Sequence, residues 1–426
     1  MTIEQLHKIY LQCTSVSTDT RNNKEGVMFF ALKGDNFNGN KYAKEALNSG
    51  AKYAIIDEEA FNTHPNCILV NHVLSTFQQL ASYHRAYLKT PIIALTGSNG
   101  KTTTKELIRA VLSEKYKTTA TIGNLNNHIG VPLTLLAMDQ DTEIGIVEMG
   151  ANHQKEIAFL CDIAKPDYGY ITNFGKAHLE GFGGVEEVIK GKSEMYDYLM
   201  ANNKTIFVNA NDPIQVEKTK DAKRFSFGYH IEGTDVSIDF VEAQPFVKCS
   251  YNTLEIHSQL IGDYNFNNIA AAIAIGNYFK VKDSAIKSAI ECYVPSNNRS
   301  QIINKGTNKI ILDAYNANPT SMRAALLNLE KQSGHKIAIL GDMFELGKES
   351  KQEHNDIADL ALRLQIDQLI FIGENFYGTE VDSDKVKKTK TFTDFKNNFD
   401  TSVIGNATVL IKGSRGMALE RILELL

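Results

Sequence analysis

The residues best suited to chemistry lie in a short polar run at positions 96–104, which reads TGSNGKTTT. An apolar stretch at 92–95 precedes it and apolar residues at helical spacing follow it, so the pattern predicts a strand, a glycine turn and a helix. Backbone N–H groups converge at such a turn, where the helix dipole favours negative charge. Lys101 can then reach the β- and γ-phosphates of a nucleotide, and the Thr102 hydroxyl can bind Mg²⁺. The predicted nucleotide-binding residues of this phosphate loop are Gly97, Ser98, Asn99, Gly100, Lys101, Thr102 and Thr103.

The run departs from the full P-loop pattern at one position. Leu95 stands where that pattern has its outer glycine. An alternative interpretation is a glycine turn that caps an ordinary strand–helix unit, but the preceding strand and the Lys-Thr pair favour a phosphate site. The sequence therefore predicts that the chain binds a nucleoside triphosphate.

Two acidic residues end predicted strands, where they could meet a nucleotide. Glu148 follows an apolar strand at 144–147 and can hold Mg²⁺ directly or through water; the alternative is a solvated strand end. Asp313 follows a strand at 310–312 and is placed like the acidic residue that accepts hydrogen bonds from a ribose. The Asn and Pro residues after Asp313 also form turns for purely local reasons, so both interpretations stay open.

A histidine and a lysine further along the chain also have more than one interpretation. His178 lies in a polar, glycine-rich loop at 173–184 and could be a metal ligand, a phosphate contact or a surface residue. Lys190 and Lys192 lie in a charged segment at 190–194 that the pattern places on a helix, where a solvated face is the ordinary interpretation. A buried lysine with a lowered pKa is instead a nucleophile, and with CO₂ it could form a carbamate.

Alternating strand-like and helix-like segments predict the scaffold that must position these residues. The expected fold class is α/β with three domains: a small N-terminal α/β domain at 1–88, a central P-loop ATPase domain with a mostly parallel sheet at 89–294, and a C-terminal Rossmann-like domain at 295–426. Residues 295–299 read as the linker between the last two. The expected central elements are strands at 144–148, 168–172 and 205–208, a polar antiparallel insert near 223–260 and a helix at 265–278. In the third domain, strands are expected at 310–312, 337–340, 369–372 and 409–411, each followed by a helix.

Composition limits the classes of function. The chain has 426 residues, enough for roughly two to four domains, and a formal net charge of -5 that argues against general nucleic-acid binding. Five scattered cysteines without C-x-x-C spacing suit a reducing compartment, and neither a signal peptide nor a membrane span is evident. We therefore expect a cytoplasmic protein with no nucleic-acid partner and no stable membrane association. We also expect a monomer, although composition does not bear on that expectation.

Ordered motifs across nearly the whole chain resemble the Mur ligase family of ATP-dependent amide-forming enzymes. The motifs at 313–318 and 341–347 resemble most closely the branch that adds D-alanyl-D-alanine, rather than the diaminopimelate- or lysine-adding relatives. The segments that carry the resemblance are 16–21, 29–34, the phosphate loop, 123–132, 148–153, the loop around His178, 264–268, 313–319, 341–347 and 412–416.

The resemblance implies ATP and Mg²⁺ as cofactors, and UDP-MurNAc-tripeptide and D-Ala-D-Ala as substrates. The N-terminal domain would bind the UDP-sugar, and the C-terminal domain would bring in the amine. The implied catalytic residues are Lys101, Glu148, His178 and Lys192. The implied metal ligands are Thr102, Glu148, His178 and Lys192 as its carbamate, with Lys190 as the alternative register. Beyond the phosphate loop, the implied ATP contacts are Asn268, Arg299 and, for the ribose, Asp313. The implied substrate contacts are Thr20 and Arg21 for uridine, Asn126 and Asn127 for the muramoyl group, and Tyr315, Asn316 and Asn318.

The resemblance further implies a reaction in which ATP activates a carboxylate as an acyl phosphate that an amine then attacks. Because an acyl phosphate is prone to hydrolysis, we expect the C-terminal domain to close over it, with the 295–299 linker as the hinge. One alternative is a sibling ligase that adds a diamino acid or glutamate. Another is a P-loop ATPase module that forms no amide; the polar residues Asn316, Asn318 and Asp342 of the third domain disfavour it.

Overall fold

The computed structural model describes residues 1–22, 24–295, 298–399 and 404–426. In these ranges the chain forms an α/β fold with three main sheets of four, nine and six strands and a separate two-stranded hairpin. The main sheets lie within residues 16–69, 92–257 and 301–412, respectively. The α/β fold class is therefore confirmed, whereas the domain limits after residues 88 and 294 stay a prediction.

The N-terminal sheet is all parallel, in the order β1-β2-β5-β6, and its helix α3 packs on the central part of the molecule through α5 and α6. The elements of this part are α1 (Ile3–Tyr10), β1 (Val16–Ser17), β2 (Met28–Phe30), β3 (Lys33–Gly34), β4 (Phe37–Asn38), α2 (Ala43–Asn48), β5 (Tyr53–Ile56), β6 (Cys67–Leu69) and α3 (Val73–Leu88).

The central sheet has the order β15-β14-β13-β12-β11-β10-β7-β9-β8. Its elements are β7 (Ile92–Thr96), α4 (Lys101–Ser113), β8 (Thr118–Ala120), α5 (Gly130–Leu136), β9 (Ile144–Glu148), α6 (Glu156–Ala164), β10 (Tyr168–Ile171), α7 (Leu179–Phe182), α8 (Val185–Ala201), β11 (Thr205–Asn209), α9 (Pro213–Lys218), β12 (Arg224–Gly228), β13 (Val236–Glu242), β14 (Lys248–Tyr251), β15 (Leu254–His257), α10 (Asn265–Tyr278) and α11 (Asp283–Cys292). Every residue of β7 and β9 is buried, as expected for parallel strands covered by helices on both faces.

The predicted antiparallel insert near 223–260 is only partly correct. Strand β12 pairs in parallel with β11, and β13 pairs in parallel with β12. Within this region antiparallel pairing is confined to β13, β14 and β15, which short connections at 243–247 and 252–253 join. For β12, the helix α9 accounts for the difference, because it lies between β11 and β12 and a helical crossover brings the chain back to run parallel to the strand it left.

The C-terminal sheet has the order β16-β17-β21-β18-β19-β20 and is parallel apart from the β16–β17 hairpin. Its elements are β16 (Gln301–Lys305), β17 (Asn308–Asp313), α12 (Pro319–Glu330), β18 (His335–Gly341), α13 (Ser350–Arg363), β19 (Gln368–Ile372), α14 (Glu374–Tyr377), β20 (Val386–Thr389), α15 (Phe392–Asn398) and β21 (Ala407–Lys412). The four predicted strands are present, but β21 is followed by 3₁₀ turns rather than an α-helix. Because β21 lies between β17 and β18, the carboxyl ends of these three strands meet at one edge of the sheet.

Two further expectations from the sequence are a hinge at residues 295–299 and the lack of a membrane-spanning segment. Residues 296 and 297 of the predicted hinge lie outside the described residues. Among the helices that the structure describes, none is long and apolar enough to cross a bilayer.

Candidate active site

The phosphate loop connects β7 to α4, as the sequence predicts, and its two glycines are sterically required. Gly97 has φ +139° and Gly100 has φ +79°, both in the region that side chains disfavour. A Cβ atom on Gly97 would lie 2.1 Å from Thr172 Oγ1, and one on Gly100 would lie 2.6 Å from Asn268 Oδ1. The loop therefore approaches β10 and α10 closely, and Lys101 becomes the first residue of α4.

The ammonium group of Lys101 folds back onto its own loop. Its Nζ donates hydrogen bonds to the carbonyl oxygens of Gly97, at 2.6 Å, and Ser98, at 3.2 Å. Burial lowers the pKa of Lys101 to about 8; Glu148 opposes this shift, and the positive charge of Arg299 adds to it. A charged amine held this way can transfer its hydrogen bonds from the loop carbonyls to an incoming phosphate.

The pKa of Lys101 predicts that the affinity for ADP, measured without divalent cations, falls as the pH rises from 7 to 9. Below about pH 8 Lys101 carries the charge that offsets phosphate, and above it the neutral amine does not. Calorimetry should give a Kd for ADP several-fold weaker at pH 9, and a Lys101→Ala variant should show little change over the same range. A wild-type Kd independent of pH would contradict this assignment.

The same pKa affects the stability of the fold. In the folded protein the pKa of Lys101 is about 8, below its ordinary value of 10.5, so the unfolded chain binds this proton more tightly. Lys101 therefore makes the free energy of unfolding increase as the pH rises from about 8 to 10.5.

Glu148 forms a buried oxygen-rich group beside the phosphate loop. It ends β9 and is 1% exposed, and its Oε2 accepts a hydrogen bond from Thr102 Oγ1 at 3.0 Å. Its Oε1 accepts from Asn126 Nδ2 at 2.9 Å, and Lys105 Nζ lies 3.7 Å from Oε2. A hydroxyl and a carboxylate at a helix N-terminus suit Mg²⁺, which takes one or two carboxylates, water and phosphate oxygens. Thr102 and Glu148 therefore fit Mg²⁺. They do so without a larger cluster of protein ligands, since the described residues include no group of three or more His, Cys, Asp or Glu side chains that could hold a metal.

His178 lies across the cavity in the loop after β10. Its backbone is left-handed, with φ +54°, and its Nδ1 contacts the carboxylate of Glu345, which follows β18 of the C-terminal sheet. This places a predicted metal ligand at the contact between the central and C-terminal parts of the chain. Its role in metal binding stays a prediction.

Lys192 and Lys190 differ sharply in environment. Lys192 lies on α8, is 1% exposed, and its Nζ donates to the carbonyl oxygen of Ala151 at 2.9 Å. Burial lowers the pKa of Lys192 well below its ordinary value, and the charge of Lys101 adds to this shift. Lys190 instead has a side chain that is 61% exposed and lies 3.9 Å from Glu187. The solvated-face interpretation therefore fits Lys190, and the buried-amine interpretation fits Lys192, which lies behind the cavity wall at Ala151.

One cavity of about 780 Å³ brings most of the predicted site residues together. Its lining includes, among the predicted residues, Ser98, Asn99, Gly100, Lys101, Thr102, Thr103, Asn126, Asn127, Glu148, His178, Asn268, Arg299, Asp313, Tyr315, Asn316 and Asn318. Gly97 and Lys192 lie behind this lining. Thr20 and Arg21 lie elsewhere, in the N-terminal part, where the exposed Arg21 pairs with Asp19 at 2.7 Å.

The C-terminal wall of the cavity contains the predicted ribose contact. Asp313 accepts a hydrogen bond from the backbone N–H of Ser300 at 3.1 Å and pairs with the buried Lys412 of β21. The guanidinium of Arg299 lies 3.6 Å from the ring centre of Tyr315. Arg299 Nε is buried and has no hydrogen-bond partner among the residues that the structure describes, which is consistent with a site that an anionic ligand completes.

Several predicted ligand contacts have local structural partners in this state. Asn127 Oδ1 accepts from the N–H of Gly130, the first residue of α5, at 2.9 Å, and Asn318 is the N-cap of α12. Asn318 Nδ2 also donates to Asn99 Oδ1 at 2.7 Å and so links the C-terminal sheet to the phosphate loop. Asn268 accepts from Thr104 Oγ1 at 3.0 Å and supports the start of α4. Asparagine favours helix N-caps for purely local reasons, so sequence alone does not separate these roles from ligand binding.

Sequence reasoning missed other residues that line the cavity, among them Tyr264, Ser300, Phe344, Glu345 and Lys412. For Phe344, Glu345 and Lys412, the signal that could have found them is their position at or shortly after the end of a strand, at the edge where open α/β sheets bind ligands. Tyr264 instead precedes α10, and Ser300 precedes β16. The motifs at 264–268, 341–347 and 412–416 contain four of these residues, but the resemblance assigns no role to their side chains.

Comparison with known proteins identifies the class. The chain matches the family model described as Mur ligase middle domain over residues 95–276, and that described as Mur ligase, glutamate ligase domain over residues 298–415. The chain belongs to the Mur ligase family, which confirms the resemblance of its motifs.

Individual relatives from one branch of this family are similar to the chain over nearly its whole length. The UDP-N-acetylmuramoyl-tripeptide--D-alanyl-D-alanine ligase of Bacillus subtilis (strain 168) is 34% identical over 423 residues, covering 96% of this chain and 92% of the relative. The ligase of the same name from Escherichia coli (strain K12) is 31% identical, covering 97% of this chain and 93% of the relative. The crystal structure of MurF from Acinetobacter baumannii matches with a TM-score of 0.88 at 31% identity, covering 100% of this chain and 98% of that one. MurF ligase from Thermotoga maritima in complex with ADP matches with a TM-score of 0.84 at 27% identity, covering 98% and 97%.

Proposed function

We propose that this chain is an ATP-dependent ligase that joins D-alanyl-D-alanine to UDP-MurNAc-tripeptide, giving the UDP-linked pentapeptide used in peptidoglycan synthesis. The observation that carries this conclusion is the single cavity whose walls combine the phosphate loop with the polar edge of the C-terminal sheet. Full-length similarity to ligases named for this reaction supplies the two substrates. ATP is the phosphoryl donor, in keeping with the ADP complex of the Thermotoga maritima relative.

The reaction must activate a carboxylate, which is a poor electrophile because its leaving group would be oxide. An oxygen of the terminal tripeptide carboxylate attacks the γ-phosphorus of ATP, and ADP leaves. The amine of D-Ala-D-Ala then attacks the carbonyl carbon of the acyl phosphate and gives up a proton. Phosphate leaves with the original carboxylate oxygen, and an amide bond remains.

The residues around the phosphate loop neutralise the charge that this reaction brings together. Lys101 donates to phosphate oxygens in place of the carbonyls of Gly97 and Ser98, and it does so before and during phosphoryl transfer. Thr102, Glu148 and His178 would hold Mg²⁺, together with Lys192 as its carbamate. Bound Mg²⁺ supplies further neutralisation of phosphate charge.

The C-terminal part of the chain closes the cavity against water. Asn318 contacts Asn99 of the phosphate loop, and Lys176, in the loop after β10, pairs with the buried Glu353 of α13 at 2.5 Å. These contacts hold the C-terminal sheet over the site where the acyl phosphate forms. Exclusion of water there favours attack by the amine over hydrolysis.

Lys192 is the proposed carbamate position. The lowered pKa of its buried amine favours the neutral form, whose lone pair can attack CO₂ with release of a proton. The product carries a negative charge in place of a positive one, and its oxygens could reach the metal side of the cavity past Ala151.

The same proposal covers the location of the protein, its oligomeric state and its contacts with uridine. ATP and a UDP-linked peptide are compounds of the cytoplasm, so we place the protein there. We also propose a monomer that forms no stable contact with membranes and binds no nucleic acid. Contacts of Thr20 and Arg21 with uridine are part of this proposal, because an N-terminal UDP-sugar site is expected from the family resemblance.

A panel of amines tests the substrate. With ATP, Mg²⁺ and UDP-MurNAc-tripeptide, we expect product with D-Ala-D-Ala and at most trace product with meso-diaminopimelate, L-lysine or D-glutamate. The corresponding shorter UDP-MurNAc-peptides are offered in parallel to each of those amines. Product from a shorter acceptor and another amine, with none from D-Ala-D-Ala, would identify a sibling ligase. ATP hydrolysis with no product from any pair would indicate an ATPase module.

A further inference from the structure

The contact between His178 and Glu345 joins two loops from different sheets. The His178 loop, residues 173–183, follows β10 of the central sheet, and the Glu345 loop, residues 342–349, follows β18 of the C-terminal sheet. The backbone N–H of Glu180 donates to the carbonyl oxygen of Glu345 at 3.1 Å. A Cβ atom on Gly347 would lie 3.3 Å from the side chain of Glu180, so the loops touch along both backbone and side chains.

The His178 loop lies between the phosphate loop and the C-terminal part of the chain. On one side, Ser98 Oγ donates to the carbonyl oxygen of Gly175 at 2.7 Å. On the other, the backbone N–H of Lys176 donates to Thr320 Oγ1 at 3.0 Å, in addition to the ion pair with Glu353. The position of His178 therefore depends on contacts of its loop with both the phosphate loop and the C-terminal part of the chain.

Buried groups hold the Glu345 loop in place. The backbone N–H of Met343 donates to Nε2 of the fully buried His354 at 3.0 Å. The backbone N–H of Phe344 donates to Oγ of Ser414 at 2.8 Å. Glu345 itself has φ +61°, a conformation that glutamate adopts only when its surroundings impose it. Its carboxylate is thus presented to His178 by a supported loop rather than by a mobile one.

We propose that Glu345 is a positioning residue for His178, and that docking of the C-terminal domain thereby completes the metal side of the ATP site. A carboxylate that accepts the Nδ1 proton of a histidine fixes its ring orientation and tautomer and leaves Nε2 free to bind a metal. Because Glu345 belongs to the C-terminal sheet, nucleotide–metal binding and domain docking are coupled, and each favours the other. This inference rests on the proposed function, since it takes His178 as a ligand of the ion bound with ATP.

The test measures metal binding directly. Mn²⁺ replaces Mg²⁺, and its binding to the protein with a non-hydrolysable ATP analogue is followed by electron paramagnetic resonance. We expect Glu345→Ala to weaken Mn²⁺ binding by about 10-fold or more. Glu345→Gln keeps an acceptor for the histidine proton and should give an intermediate value. Glu349→Ala, in the same loop and exposed, is the matched control and should bind Mn²⁺ as the wild type does.

A second variant separates positioning of His178 from docking alone. Glu353→Gln weakens the ion pair with Lys176 and leaves the His178–Glu345 contact intact, so it should weaken Mn²⁺ binding less than Glu345→Ala. Equal effects of these two variants, or wild-type Mn²⁺ affinity in Glu345→Ala, would overturn the proposal. This experiment contains no amine, so its failure is distinct from failure of the proposed function, which shows as absence of pentapeptide from the wild-type protein.

Discussion

Replacement of Lys101 by alanine is expected to lower kcat by about 10²–10³-fold while the protein stays folded. The Lys101 ammonium group is the positive charge that the phosphate loop offers to a nucleotide. The carbonyl oxygens of Gly97 and Ser98 accept its hydrogen bonds and so hold it in place before a phosphate binds. The loop itself should survive the change, because other bonds hold it. Thr172 Oγ1 donates to the carbonyl oxygen of Asn99 at 2.6 Å, and the N–H of Ser98 donates to the carbonyl oxygen of Asn173 at 3.0 Å.

The measurement is dipeptide-dependent phosphate release, with thermal unfolding followed by circular dichroism as the test of folding. Lys218→Ala, an exposed lysine on α9, is the control and should keep wild-type kcat. If Lys101→Ala turned over at a near-normal rate, the assignment of the phosphate loop would be wrong.

Replacement of Lys192 by alanine should lower kcat by about 10²-fold or more, because it removes the anionic oxygens that the proposed carbamate supplies at the metal side of the site. Added formate or acetate should restore part of the activity. A short carboxylate can enter the space that alanine leaves and provide oxygen ligands of the kind Mg²⁺ prefers. The assay is again phosphate release, at increasing concentrations of each carboxylate.

Lys190→Ala is the matched control for Lys192, since it removes a lysine from the same helix two positions earlier. Its side chain is mostly exposed, and its loss should leave kcat unchanged and insensitive to added carboxylate. A Lys192→Ala variant with wild-type kcat would contradict any catalytic role for this amine. An inactive variant that no carboxylate rescues would count against the carbamate and leave a positively charged lysine as the alternative.

Local patterns in the sequence predicted much of the fold and the centre of the site. The helix at 265–278 has the predicted bounds, and the glycines, Lys101 and Thr102 take the places that a phosphate loop requires. These features depend on residues near one another in the chain, where periodicity and turn chemistry act directly. The sequence did not predict strand β16. Its residues do not alternate between apolar and polar types, and they form a strand because they pair with β17.

The contacts that complete the site depend on residues far apart in the chain. His178 and Glu345 are 167 positions apart, and Asn99 and Asn318 are 219 apart. No periodicity links such pairs; only the order of the sheets brings them together. The residue pattern alone also could not separate Lys192 from Lys190, since burial of one and exposure of the other follow from which face of α8 packs inward; only the family resemblance favoured Lys192.

The most direct test of the central claim is phosphate release from the purified protein with ATP, Mg²⁺ and UDP-MurNAc-tripeptide, with and without D-Ala-D-Ala, together with the mass of the product. The account predicts release that requires the dipeptide and matches, mole for mole, the UDP-MurNAc-pentapeptide formed. Release at the same rate without the dipeptide, and no pentapeptide in its presence, would contradict the account.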